Sequence, residues 1–503
     1  MYVIIIIIMK DIPTFFTNKQ EIIDYDYSFE DFINDNNINE YEYLHNLSIP
    51  LLVDHGLTET KLCEGYFKSI MFGHNHIFIQ KLIDNIGSLT NISLPLLHKW
   101  NDEIKINNLL IISHPDDAER ICKKHIKKAP IFKTLLDTSI ISTTDNDDWK
   151  DQRQSMNIAF IPKLSLQKIF PLSRERARFC ATLLKEKSND YLQSVDMSDF
   201  FLNETQAQLQ LGMFGFSNEF QEKTNKLVRD SFSGIHSEYL EQFSKEAYEE
   251  IQISNGPLSK VIDSDDMKKN IGNILIFAFA GHDTTGHTLS WLLYELCKHP
   301  DYKQTLINEI DQYWLNHKEE TYDSFNELPF MTKCITETLR LWPALANGTY
   351  RELETDEEIY GLDKQKVKVK KGTWCQIINW TRHRSKELWG EDVNIFNPYR
   401  NFKDSEIWDY QGFGTTHVSS ERYSPFTYGP RHCIGKNFSQ MEMRLILLHL
   451  FKDHDFQLNG KQLQTVNDKK YMGKNTFTLG PGSIYDGYLG MYVNIFPRLK
   501  SKL

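Results

Sequence analysis

The sequence contains no Cys-x-x-Cys pair. Its seven cysteines, at 63, 122, 180, 297, 334, 375 and 433, are an odd number at irregular spacing. That fits neither a disulfide framework nor a zinc site, so a reducing compartment follows. No Pro/Gly/Ser-rich linker, abrupt composition shift or internal repeat divides the 503 residues. No basic-aromatic stripe is present either, and with a net charge of −11 this argues against nucleic acid as a partner. No apolar run at the start approaches the roughly 20 residues of a spanning helix. The opening MYVIIIIIM gives nine apolar residues before Lys10, without a basic n-region or a small-residue cleavage site. It reads as a frayed strand, with shallow membrane contact as the alternative.

What is present suits a large folded core: 40% hydrophobic and 13% aromatic residues. The expected organisation is a lead-in over 1–40, including the polar FINDNNINE, then one large domain over 41–500. The chain closes on Ser501-Lys502-Leu503, the peroxisomal address, with a peripheral endoplasmic-reticulum placement as the alternative. A local basic cluster, Arg120, Lys123, Lys124, Lys127, Lys128 and Lys133, reads first as a solvated helix face.

Apolar residues at three- and four-residue spacing predict helices near 115–128, 148–160, 164–192, 197–212, 236–252, 265–298, 301–316 and 327–341. Strand signals are fewer: KQKVKVKKG, TWCQIINW, and short stretches near 105–113, 348–360 and 474–497. The fold class is therefore mainly α with small β-sheets.

The longest predicted helix starts at Ser264 as N-cap, with Asp265 and Asp266 in its first turn, and runs to Pro300. Its middle, ILIFAFAG, is apolar on every side and must be buried. Gly281, His282, Asp283, Thr284 and Thr285 follow. An acid and two hydroxyls in a core helix cost several kcal/mol, on the order of 2–7 each, unless they find partners. In a purely local reading the acid pairs with a buried cation and the threonines bond back one turn. In the functional reading Gly281 opens room for a small ligand, and acid and alcohol form a proton relay.

FTYGPRHCIG, residues 426–435, sets one thiol between two glycines, beside Arg431 and His432. A helical stripe follows (Phe438, Met441, Leu445, Leu448, Phe451), so the sulfur lies at a helix N-terminus, where amides and cations favour the thiolate. A lone thiolate without triad or metal-spaced histidine suits a metal needing one strong protein ligand, and haem iron is that case.

These stretches together resemble the cytochrome P450 family, the haem-thiolate monooxygenases. The family's F-x-x-G-x-R-x-C-x-G is matched at Phe426, Gly429, Arg431, Cys433 and Gly435; AGHDTT at 280–285 is similar to its oxygen-activating helix. ETLRLWP supplies E-x-x-R at Glu337 and Arg340, FNPYRNF an arginine at Arg400, and WKDQR the W-x-x-x-R at Trp149 and Arg153. Two departures are local: Thr427 follows the loop's Phe where Ser or Gly is usual, and Tyr399 stands where Glu is common.

The resemblance implies haem b with Cys433 as axial ligand to the iron and Asp283 and Thr284 delivering protons. Trp149, Arg153 and Arg431, with Arg351 as a weaker candidate, would neutralise the propionates, and Glu337, Arg340 and Arg400 would form a structural network. It implies insertion of one oxygen atom of O2 into a lipophilic small molecule. Electrons would come from a separate NADPH-dependent flavoprotein or a ferredoxin, since no G-x-G-x-x-G follows a strand. The lysines around 123–133 are then a candidate docking surface. Phe200, Phe201, Phe214, Phe216 and Phe220 would make the ligand space apolar. The alternatives are a haem-thiolate isomerase or dehydratase, and a haem-binding protein without turnover.

Overall fold

The computed structural model describes residues 75–86, 89–94, 107–130, 136, 138–232, 237–360, 366–408, 418–459, 474–475, 478–481 and 490–498. The lead-in 1–40, Lys133 and the terminal tripeptide 501–503 lie outside the described residues.

Most helices begin where the chain supplies an acceptor or a proline for the first turn. The helices in chain order are α1 Asn75–Ile86, α2 Pro115–Lys124, α3 Asn146–Asn157, α4 Gln167–Lys187, α5 Met197–Gln208, α6 Asn218–Phe232 and α7 Ser237–Ile253. They continue with α8 Met267–Lys298, α9 Pro300–Asn316, α10 Pro329–Leu341, the short α11 Asn379–His383 and α12 Lys386–Trp389, and α13 Lys436–Asp453. Asp145 caps α3 and Asp196 caps α5, each carboxylate accepting two first-turn amides.

The long helix is capped by Asp266, which accepts from the amides of Lys268 and Lys269, and not by Ser264. The Ser264 hydroxyl instead accepts from the Asp266 amide and so shapes the turn ahead of the helix. With 32 residues α8 is about 48 Å long. It packs against α5, α7, α9, α10 and α13, and Ile274 to Phe279 are all buried.

The helix expected over 197–212 ends as α5 and passes into a widened π-helical turn, Leu209–Phe214, closed by Gly215 at φ +70°. The stretch expected as one helix over 164–192 is a π turn at Pro162–Leu166 followed by α4.

The sheets are small. β1 Leu89–Leu94, β2 Asn107–Ile112, β7 Trp374–Ile377 and β4 Thr349–Glu352 form one sheet in that spatial order. β2 and β7 pair in parallel, the other neighbours antiparallel. β5 Glu357–Tyr360 and β6 Lys366–Val369 make a hairpin. β3 Val195–Asp196, β11 Tyr492–Pro497 and β8 His454–Leu458 form a third sheet, and β9 Lys474–Asn475 and β10 Leu479–Gly480 a fourth. The extended region over 348–360 is thus two strands belonging to two sheets. Among the described residues no helix is long and apolar enough to cross a membrane.

Candidate active site

Cys433 sits two residues before α13, in a loop closed by its own backbone. The Cys433 amide donates to the Phe426 carbonyl at 2.8 Å and the His432 amide to that of Gly429 at 3.1 Å. Gly429 has φ +62°, and a Cβ there would lie 3.0 Å from the Cys122 carbonyl oxygen and from Lys123 Cα, so the turn lies flat on the end of α2. Thr427 has φ +63°, a left-handed conformation that costs a side-chain-bearing residue about 1–2 kcal/mol.

Cys433 is exposed, yet surrounding protein still strips water from its sulfur, as in the wall of a cavity. Desolvation pushes its thiol up; the Gly435 amide, the Arg153 and Lys436 charges and the Lys436 amide pull the other way. The cations acting on the sulfur are therefore Arg153 and Lys436, and not Arg431 and His432, which face elsewhere. The helix-end amides act as expected, but burial outweighs them, so the free thiol keeps its proton until something replaces it.

Behind the loop lies a cluster of cations. The Arg431 guanidinium stacks 4.5 Å from the Trp149 ring and makes only long hydrogen bonds, 3.5 Å to the Ile140 carbonyl and 3.4 Å to that of Thr143. Arg351 is fully buried on β4. Its Nη1 donates to Thr349 Oγ1 and the Tyr350 carbonyl, both at 2.9 Å, and Lys128 Nζ donates to the same Thr349 oxygen at 2.7 Å. Arg351 Nε and Nη2 and Arg431 Nε are buried without hydrogen-bond partners among the described residues.

The strain of this arrangement shows in the acidities. Burial and the neighbouring Arg351 push Arg431 down to about 9, and burial with Arg351 and Arg431 holds Lys128 well below the usual lysine range. Arg153, on α3, donates to the His432 carbonyl at 2.8 Å and lies 3.0 Å from His432 Nε2. Buried cations with unpaired donors fit an anionic group with several acceptor oxygens, such as a haem propionate edge. Trp149, Arg153, Arg351 and Arg431 meet here. Sequence reasoning missed Lys128 and Thr349; the lysine was hidden in a basic run, and a lone threonine carries no signal.

On α8, Thr284 Oγ1 donates to the Ala280 carbonyl at 2.7 Å, the bond of the local reading. Asp283 accepts from Thr478 Oγ1 at 2.6 Å. Among the described residues no hydrogen bond joins the two side chains, so acid and alcohol are neighbours on the helix with separate anchors. Gly281 does not open the expected space. A Cβ there would lie 2.7 Å from Leu209 Cδ1, so the leucine of the π turn fills the position.

The Glu337, Arg340 and Arg400 side chains come together with little or no solvent contact. Arg340 Nε and Nη2 reach Glu337 at 2.7 and 2.8 Å, and Arg400 Nε does so at 3.2 Å. Asn397 adds its backbone amide at 3.0 Å.

Two expectations change with the packing. Phe200, Phe201, Phe214, Phe216 and Phe220 are core residues; the Phe214 ring lies 4.8 Å from Phe216, which lies 4.9 Å from Phe220. In the basic cluster, Arg120 pairs with Asp117 and Glu357, Lys123 with Glu119, Lys124 with Glu357, and Lys127 with Glu352, while Lys128 is buried. A solvated, acid-compensated face is what the structure presents.

Residues 249–482 match the family model described as Cytochrome P450. The chain is similar to cytochrome P450 3A12 of Canis lupus familiaris, 32% identical over 47% of this chain and 45% of that one. It is 36% identical to cytochrome P450 3A29 of Sus scrofa over 36% of this chain and 33% of that one. It is also 32% identical to cytochrome P450 CYP13A5 of Caenorhabditis elegans over 41% and 36%. The chain thus spans less than half the length of these curated relatives. Asp283, Thr284, Glu337, Arg340, Arg400 and Cys433 fall inside the matched region; Trp149 and Arg153 precede it. Residues 249–482 are thus similar to the cytochrome P450 family.

Proposed function

We propose that the protein is a haem-thiolate monooxygenase. It inserts one oxygen atom of O2 into a lipophilic small molecule, with electrons from a separate donor protein, an NADPH-dependent flavoprotein or a ferredoxin. The observation that carries this reading is the pairing of one helix-terminal thiol, Cys433, with a buried cation cluster in which three guanidinium nitrogens find no partner among the described residues. Members of the family bind haem through an axial cysteine thiolate, and the residues here fit that group. Cys433 would hold the iron, and Arg351 and Arg431, with Trp149 beneath the latter, would hold the carboxylates. When bound, haem supplies oxygen activation, which the thiolate assists electronically.

The chain's own part is positioning and proton handling. Cys433 would hold the iron as the thiolate, giving up the proton that burial otherwise keeps in place, and the Gly435 and Lys436 amides would stabilise the sulfur's charge. Thr284 Oγ1, its hydrogen given to Ala280, keeps lone pairs to accept from water or substrate. Asp283 one residue earlier is the group that can return a proton to that water.

The test is the ferric absorption spectrum of the haem-loaded protein, titrated with sterols, fatty acids and terpenoids. A saturable low-to-high-spin shift is expected with one class, together with reductant consumption that yields oxygenated product. Rearranged peroxide without reductant use would make it an isomerase or dehydratase. Carbon monoxide binding with no reductant consumed in the presence of any compound would make it a haem binder without turnover.

A further inference from the structure

The C-terminal segment Thr478–Gly480 is fastened to α8 and to the turn that follows α10. Trp291 Nε1 donates to the Leu479 carbonyl at 2.7 Å, and the Leu479 amide donates to the Ala344 carbonyl at 2.9 Å. Next to these bonds Thr478, fully buried, lies between two side chains one helical turn apart on α8. Its Oγ1 is 2.6 Å from Asp283 Oδ2 and 2.7 Å from His287 Nδ1, and His287 Nδ1 is itself 3.6 Å from Asp283 Oδ1. The imidazole packs on bare backbone: a Cβ on Gly480 would lie 2.7 Å from His287 Nε2.

A hydroxyl has one hydrogen to give. With Asp283 as a carboxylate, that hydrogen points to Oδ2, and the short contact to His287 is one in which the ring donates from Nδ1. The chain of donors then runs in one direction, His287 Nδ1–H to Thr478 Oγ1, and Thr478 O–H to Asp283 Oδ2. Each bond polarises the next, so the carboxylate is held more firmly than by one neutral hydroxyl.

We infer that Thr478 and His287 are positioning residues for Asp283, fixing its carboxylate from the C-terminal segment by a directed two-bond relay. This rests on the oxygenase reading, in which the Asp283 carboxylate takes up a proton from solvent and hands it to Thr284-bound water. The inference itself concerns what orients that acid. A residue almost 200 positions away in sequence then sets the geometry of the α8 acid, and neither Thr478 nor His287 needs to touch the reacting molecule.

Two measurements on the haem-loaded full chain test it. In protein labelled with 15N at histidine, the signal lost in His287→Asn identifies His287 among the 17 histidines. It should report a proton on Nδ1 in the parent and lose that preference in Thr478→Val. A neutral ring protonated on Nε2 alone would reverse the donor direction and overturn the relay. The second readout is the share of consumed O2 released as hydrogen peroxide, with a purified NADPH-dependent flavoprotein reductase and lauric acid as probe. Thr478→Val should raise this share about threefold or more, the scale of one lost hydrogen bond, and Thr478→Ser should return it toward the parent value. Thr284→Ala is the reference. If it raises the share and Thr478→Val does not, the positioning role fails and the oxygenase reading stands. If Thr284→Ala itself changes nothing, the oxygenase reading fails, while the 15N result still decides whether the relay exists.

Discussion

Among the clusters of buried charge in the described residues, two are built on opposite plans. In the first, Glu337 takes hydrogen bonds from Arg340 and Arg400, and Arg340 Nη1 goes on to the carbonyls of His383 and Val393 at 2.8 Å. Its carboxylate faces both guanidinium groups, so the cluster is complete within the polypeptide. In the second, Lys128, Arg351 and Arg431 crowd one another around Thr349 and two distant carbonyls, and three guanidinium nitrogens have no partner among the described residues. A pair of arginines serves each cluster. A carboxylate within hydrogen-bond distance sets the first apart from the second, whose spare donors suit an anion from outside.

The contrast is broken most severely by Glu337→Gln. It leaves the buried Arg340 guanidinium without its paired carboxylate, and Arg400 with Asp392 alone at 2.9 Å, and should cost about 3–5 kcal/mol, measured by denaturant unfolding. A variant within about 1 kcal/mol of the parent would mean that the carbonyls around Arg340, with Asp392 at Arg400, suffice to hold both groups.

Arg351→Met should act the other way round. The haem-free protein should be as stable as the parent or more so by about 1–3 kcal/mol, because a buried unpaired cation is removed. Haem retention on dilution should fall about tenfold or more, the effect of losing a charge-assisted hydrogen bond. Loss of haem-free stability would place Arg351 with the structural cluster.

Lys128 allows the same contrast to be read against pH. Its folded-state affinity for protons lies well below that of the unfolded chain. Between that depressed value and the ordinary lysine pKa of about 10.4 the unfolded chain binds the extra proton, so this residue's contribution to stability rises with pH. The stability advantage of haem-free Lys128→Met over the parent should therefore be largest at neutral pH and shrink toward pH 10. Taking the difference cancels the buried thiols and tyrosines, which titrate in the opposite sense. An advantage that stays constant would show that Lys128 is neutralised by some other means.

The smallest effect is expected at Thr427→Gly, which relieves a left-handed β-branched residue without touching either cluster. Its gain of about 1–2 kcal/mol in the fold is partly offset by the added freedom of the unfolded chain, leaving a net gain of about 0.5–1 kcal/mol. Haem retention should not change, and a change would tie the strain of the loop to the ligand.

The parts of this arrangement that announce themselves in sequence are those with local periodicity or fixed spacing. α8, α10 and α13 follow from their apolar spacing, and Cys433, Glu337 and Arg340 from motifs read within one turn of chain. Lys128, Thr349 and Thr478 were not legible, because their roles come from neighbours that only tertiary packing supplies. Thr478 meets Asp283 across 195 positions. The misplaced helix start has a similar origin: Ser264 and Asp266 are both good caps, and only the turn that Ser264 stabilises decides between them. Gly281 misled for a different reason. A glycine in a buried helix signals close approach by something, and the sequence does not say whether that is a ligand or, as here, a leucine.

That close approach limits how such a protein can diversify. At Gly281 the Leu209 side chain lies where a Cβ would go, and at Gly286 a Cβ would come within 2.9 Å of Leu202 Cδ2 and 3.0 Å of Leu202 Cα. A single substitution at either glycine collides with a neighbouring helix before it can add a contact to any ligand. Repair would take a matching change at 209 or a shift of the α5 backbone at 202. Descendants of this chain that acquire new ligands should therefore carry their changes in connecting segments, with the α5–α8 crossing inherited as a block.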